Sequence, residues 1–174
     1  MMAGFYSLET RNHGGRMTHL LASRRGMLGS GAALLFAASV PALAQSRPAI
    51  HIVKDPDCGC CTAWARFLYA DGFDVTFEHR SGRALDGFKL ASGIPPALFS
   101  CHTAMVEGYA IEGHVPLADI RRLLAERPQA VGLAVPGMPY GSLGMGPDSE
   151  RDAYSVFLIG PDGNYQVFSD YPAA

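Results

Sequence analysis

Three of the chain's four cysteines fall within four residues, Cys58-Gly59-Cys60-Cys61, where a strand pattern gives way to a helical one. Ile50 and Ile52 begin a short apolar strand that runs into the turn sequence Lys54-Asp55-Pro56-Asp57. From Cys60 or Cys61 onward, Trp64, Phe67 and Leu68 share one helical face, which predicts a helix to about Asp71, before Gly72. Any fold of this chain must therefore set three thiols on a strand-to-helix turn. At such a turn, unpaired backbone N–H groups and the positive end of the helix dipole stabilise thiolates. The cluster is then either a redox site or a soft-metal site.

Strand and helix patterns continue to alternate. Phe73, Val75 and Phe77 alternate with Asp74, Thr76 and Glu78, as in a half-buried strand. A second helix is expected over 83–91, ending at Ser92-Gly93. Ile94-Pro95-Pro96 then leads into a short strand expected over 97–100, and a proline at this place is often cis. Tyr109 to Glu112 reads as a hairpin partner. Pro116 opens a helix whose stripe is Leu117, Ile120, Leu123 and Leu124. A Gly/Pro-rich loop spans 132–146, and residues 154–159 and 165–169 form a closing hairpin around Gly160-Pro161-Asp162-Gly163. This order predicts an α/β, thioredoxin-like single domain with a mixed sheet plus a C-terminal β-hairpin.

The first 44 residues read as an export signal. Ser23-Arg24-Arg25-Gly26-Met27-Leu28 is a twin-arginine-type motif, followed by an Ala/Gly-rich apolar stretch and the small residues Ala42-Leu43-Ala44. The apolar stretch is shorter than the roughly 18 residues that would span a bilayer, so no stable membrane span is expected after processing. Residues before Met17 lack a signal pattern, which places the expected true start near Met17. Cleavage near Ala44 would leave 130 residues, 45–174, enough for one compact domain in the periplasm. That part carries ten Lys and Arg against fifteen Asp and Glu, a net charge of −5, with no basic stripe, which argues against nucleic acid as a partner.

In an oxidising compartment an even cysteine count usually means structural disulfides. Here the spacing opposes that, because loops this short remove little chain entropy. Cys58 and Cys61 instead have the C-x-x-C spacing of a redox-active pair. The strand after Ile94-Pro95 would bring Cys101 toward the cluster. Four converging sulfurs exceed what a dithiol oxidoreductase needs, and thiolates select Cu(I), Zn(II) or iron–sulfur clusters. Three donors from one four-residue stretch suit a tetrahedral zinc site poorly. Bridging thiolates around Cu(I), in a site of one or several ions, suit the crowding better, so copper ranks ahead of zinc. Secondary candidates are His102, Met105, His114, Met138 and Met145. His102 is a ligand, a proton donor or a hydrogen-bonding partner; Met105 is a ligand or a core residue. Met138 and Met145 are thioether ligands or a lid, and His114 is a site or a structural residue.

Four ordered blocks carry a resemblance. Lys54-Asp55-Pro56-Asp57-Cys58-Gly59-Cys60-Cys61-Thr62-Ala63-Trp64 resembles the opening signature of the DUF411 family, the CopG-type periplasmic copper-resistance proteins. Gly93-Ile94-Pro95 with Ser100-Cys101-His102-Thr103-Ala104, then Gly108 to Pro116, then Gly132 to Pro139 resemble its later blocks. The resemblance implies that residues 45–174 form a thioredoxin-like domain binding copper through Cys58, Cys60, Cys61 and Cys101, with His102 and Met138 nearby. It also implies a redox role toward copper, alongside other periplasmic copper-handling proteins. Family members often carry His at the place of Phe67 and Pro at that of Leu143; neither departure touches the thiols. The leading expectation is an exported copper-binding oxidoreductase of copper resistance, with Cys58 and Cys61 as its catalytic pair. The alternatives are a metal-independent thiol–disulfide oxidoreductase using that pair, and a passive metal carrier without turnover.

Overall fold

The computed structural model describes residues 47–174, so the expected leader, 1–44, lies outside the described residues. Seven strands make one mixed sheet: β1 (Ala49–Lys54), β2 (Asp74–His79), β3 (His102–Val106), β4 (Tyr109–Glu112), β5 (Gly132–Ala134), β6 (Tyr154–Ile159) and β7 (Tyr165–Tyr171). Their spatial order is β2-β1-β3-β4-β5-β6-β7. β1 and β2 run parallel, joined through helix α1 (Gly59–Ala70). Helix α2 (Arg83–Ala91) leads to β3, which lies antiparallel to both β1 and β4. Helix α3 (Leu117–Glu126) crosses to β5, parallel to β4, and β6 and β7 complete the sheet as an antiparallel hairpin.

Strand side chains alternate between the two faces. On one face, Ile50 and Ile52, Ala104 and Val106, and Ile111 pack with Trp64 and Leu68 of α1 and Ile120 and Leu123 of α3. On the other, Ala110, Ala134 and Ile159 pack with Ile94 and Leu98. The register places His102 on the α1 face and its neighbours Thr103 and Glu112 on the opposite one. Among the described residues no helix is long and apolar enough to cross a membrane.

Four local expectations change. Residues 97–100 do not form a strand: Pro96–Leu98 is a 3-10 turn, Ser100 makes one isolated bridge to Gly137, and the ladder begins at His102. Pro96 takes the first turn position, where its missing N–H costs nothing. None of the described peptide bonds is cis, so Pro95 is trans. β2 lies at the sheet edge, and there Phe77, although paired with Ile52 of β1, is 45% exposed where the alternation predicts a buried side chain. Finally, the start of the Gly/Pro-rich loop is strand β5. Gly132 permits this, because a Cβ there would collide with the Ala110 carbonyl of the adjoining strand.

Candidate metal and redox centre

Lys54 is buried at the end of β1 and donates from Nζ to the carbonyls of Asp55 and Pro56, at 2.8 and 3.3 Å. This ties down the turn that delivers Cys58, which caps α1: the Cys61 N–H donates to Cys58 Sγ at 3.3 Å. Cys58 and Cys61 form a disulfide across a Cα–Cα distance of 5.5 Å, within the usual range for a bridge. Cys60 is free, its sulfur 3.5 Å from Cys58 Sγ. Cys101 is the other free thiol, just before β3. The sulfurs of Cys58, Cys60, Cys61 and Cys101 all lie within 4.8 Å of one another. The convergence of Cys101 on the cluster, expected from its place after Ile94-Pro95, is therefore present in the fold.

Two imidazoles face Cys101. His102 Nδ1 lies 3.3 Å and His114 Nε2 3.2 Å from its sulfur. His114 Nδ1 donates to the Leu143 carbonyl at 2.7 Å, which assigns the proton to Nδ1 and leaves Nε2 with its lone pair toward Cys101. That carbonyl belongs to the segment over 141–146, seated closely on α1. A Cβ on Gly144 would fall 2.7 Å from the Trp64 nitrogen, and its φ of +86° also suits glycine. Trp64 is fully buried, stacks obliquely on His102 with centroids 4.4 Å apart, and donates to the Val115 carbonyl at 2.9 Å. It fills the core beside His102. His102 Nε2 is the one buried side-chain nitrogen without a hydrogen-bond partner among the described residues.

Electrostatics follow from burial. Desolvation, reinforced by neighbouring Cys60, pushes the Cys101 thiol up to about 12, so without metal it stays protonated at neutral pH. A metal must displace that proton to gain a thiolate. Burial also holds both imidazoles below the ordinary histidine range; charges on His114, Lys89 and Lys54 add to the effect at His102. Neutral imidazoles and displaceable thiols are a donor set for a soft or borderline metal.

Two tests follow. Unreduced protein should show two alkylatable thiols, Cys60 and Cys101, and four after reduction, with Cys101 the slower of the first two; mass analysis of peptides counts them. The second is a pH test on metal-free protein. Both histidines bind protons more weakly folded than unfolded, so stability is full above the unfolded value, about 6.5, and falls as pH drops below it. Each contributes a slope of at most ~1.4 kcal/mol per pH unit. Urea titrations between pH 7 and 5 should therefore give a shallower slope for His114→Gln than for wild type. Equal slopes would show that the imidazole is already hydrated.

The remaining candidates sit around this centre to different degrees. Met105 packs with the Ile94 and Leu98 cluster, on the sheet face away from His102. Met138 is 56% exposed and follows Gly137, whose backbone bridges to Ser100 beside Cys101. Met145, partly buried, follows Gly144 in the segment seated on Trp64. His51 bonds Thr76 and Glu78 along the β1–β2 edge. Sequence reasoning missed a buried group behind Cys101, namely Lys89, Thr103 and Glu112. Its signal was present: Lys89 lies four residues after Leu85 on the buried stripe of α2, and Glu112 ends a fully buried strand.

A family model described as "Protein of unknown function, DUF411" matches residues 98–145, which hold Cys101, His102, His114, Met138 and Met145. Two solved structures, forms 1 and 2 of a copper resistance protein copG, are 42% and 43% identical to the chain. Each superposes with a TM-score of 0.67 over 72% of this chain, covering 98% and 99% of those chains. The chain belongs to the DUF411, CopG-type family. No curated protein sequence matches it. In this CopG-type protein the Cys58–Cys61 cluster precedes the span of the family model, and the fold brings the two together.

Proposed function

We propose that this CopG-type protein is an exported copper-handling protein of copper resistance that binds Cu(I) through Cys58, Cys60, Cys61 and Cys101 and couples that copper to thiol redox chemistry. The observation that carries the reading is the four sulfurs within 4.8 Å of one another, two more than a dithiol enzyme requires. The related copper resistance structures and the softness of the donors favour copper over zinc. Residues 45–174 are read as a thioredoxin-like domain. The parallel β1-α1-β2 unit, the β3–β4 hairpin and the following α3 support this, with the disulfide at the start of α1. The twin-arginine-type leader supports a periplasmic location, where other copper-handling proteins are the expected partners.

Copper is cargo and redox substrate here. In the reduced state four thiolates are available to Cu(I), as one ion or a thiolate-bridged group. Oxidation is balanced when the Cys58 and Cys61 thiolates each give one electron to a Cu(II), yielding one disulfide and two Cu(I). In the disulfide state Cys60 and Cys101 remain as thiols, and Cys101, His102 and His114 offer a mixed sulfur and imidazole set within 4.8 Å. Imidazole donors suit Cu(II) as well as Cu(I). Met138 and Met145, on segments bordering the site, are read as auxiliary thioethers. Anaerobic Cu(I) titration against a chromophoric chelator tests the reading. At least one tight copper per chain is expected, and fewer than one, unaffected by Cys101→Ser, would overturn it.

The disulfide itself favours a second reading, a metal-independent thiol–disulfide oxidoreductase using Cys58 and Cys61. That reading requires disulfide turnover without metal that survives Cys60→Ser and Cys101→Ser together. A passive carrier would bind copper yet leave the 58–61 pair untouched by Cu(II).

A further inference from the structure

We propose that the buried ion pair Lys89–Glu112 is a positioning device that fixes Cys101 against the cysteine cluster; this rests on the copper-binding reading above. Both side chains are buried, at 2% and 0% exposure, on the sheet face opposite α1. Lys89 Nζ donates to Glu112 Oε1 at 2.6 Å and to Thr103 Oγ1 at 3.2 Å. Glu112 Oε1 also accepts the Ser100 N–H at 2.6 Å, and Oε2 accepts the Thr103 hydroxyl at 2.5 Å. One carboxylate thus grips residues 100 and 103, the immediate flanks of Cys101 and His102. The Gly113 N–H adds a third hold, on the His102 carbonyl, at 2.9 Å.

The local backbone explains why such a grip is needed. The ladder with β1 and β4 begins at His102 and Thr103, so Cys101 sits on the irregular lead-in, where Ser100 has only a single bridge to Gly137. The other three sulfurs are held by a helix turn. Cys101 must meet them from another element, and a sulfur displaced by about 1 Å no longer completes a site built to fractions of that distance. Stability alone explains the pair poorly. Both the ammonium and the carboxylate lose their hydration in the core, a cost that their mutual attraction often fails to repay. Apolar replacements for buried ion pairs are often neutral or stabilising.

That last point supplies the test. Lys89→Met with Glu112→Leu removes the grip while keeping an apolar fill. Thr103→Val, nearly isosteric, removes one hold and serves if the double variant fails to fold. Reduced, metal-free proteins are first compared by urea unfolding, then by Cu(I) competition against a chromophoric chelator. The double variant should fold yet bind Cu(I) about 10–100-fold more weakly, the range typical of lost outer-shell partners; Thr103→Val should lose at least threefold. Lys89→Met with Glu112→Gln, whose amide oxygen can accept the Ser100 N–H while its NH2 donates to the Thr103 hydroxyl oxygen, should recover most of the affinity. Affinities within twofold of wild type, in Thr103→Val and in the double variant if it folds, would overturn the proposal. If wild type itself binds no Cu(I), the copper reading fails instead. The positioning role is then read without metal, as a changed alkylation rate of Cys101 in the disulfide form; an unchanged rate overturns it.

Discussion

Cys101→Ser should weaken Cu(I) binding to the reduced protein by on the order of 100-fold or more, beyond the range seen for outer-shell partners. Cys101 is the one sulfur in the centre that comes from outside the α1 turn. Without it, three thiolates remain within four residues, and no donor closes the site from the β3 side except the two imidazoles. A serine hydroxyl is a hard oxygen that does not ionise at neutral pH, so it replaces neither the charge nor the softness. The burial that keeps the metal-free thiol protonated also means that copper gains a desolvated thiolate once bound. Chelator competition on wild type and variant, both reduced and anaerobic, measures the loss directly. An affinity within threefold of wild type would place the copper elsewhere on the chain.

Glu112→Ala should destabilise the metal-free protein by about 3–5 kcal/mol. Removing the carboxylate strands the Lys89 ammonium in the core, at 2% exposure, with only Thr103 Oγ1 as a side-chain acceptor. It also leaves the Ser100 N–H without its carboxylate acceptor. The neutral pair Lys89→Met with Glu112→Leu should recover most of this loss, because the larger part is the uncompensated charge and not the lost attraction. Urea midpoints with unchanged slopes provide the comparison. A loss below about 1 kcal/mol for Glu112→Ala would mean that water reaches Lys89 and that the pair is not a closed unit.

These two residues also mark what the sequence did and did not disclose. Cys58, Cys60 and Cys61 were legible because a strand pattern, a turn and a helical stripe frame them within about twenty residues. Helix α2, bounded by Ser92-Gly93, and strand β4, read as a hairpin partner, match their expected ranges at both ends. Cys101 is placed near the cluster by topology, though it precedes the strand, which begins only at His102 because two prolines impose a 3-10 turn first. Strand β5 was hidden by its own glycine, whose missing side chain is what lets it pair beside Ala110. The two imidazoles were candidates of uncertain role until the Leu143 carbonyl fixed the orientation of His114. The Lys89–Glu112 pair could not be inferred from local pattern. Its members lie 23 residues apart, and each looks like an ordinary charged residue until the sheet buries both.

The central claim couples copper to the Cys58–Cys61 pair, and one anaerobic experiment addresses it: fully reduced protein mixed with Cu(II), followed by counts of Cu(I), remaining thiols and bound metal. The expected result is one Cys58–Cys61 disulfide for every two Cu(II) reduced, with at least one Cu(I) per chain still held by the protein. Cu(II) left unreduced with all four thiols intact, or Cu(I) found entirely unbound, would contradict it.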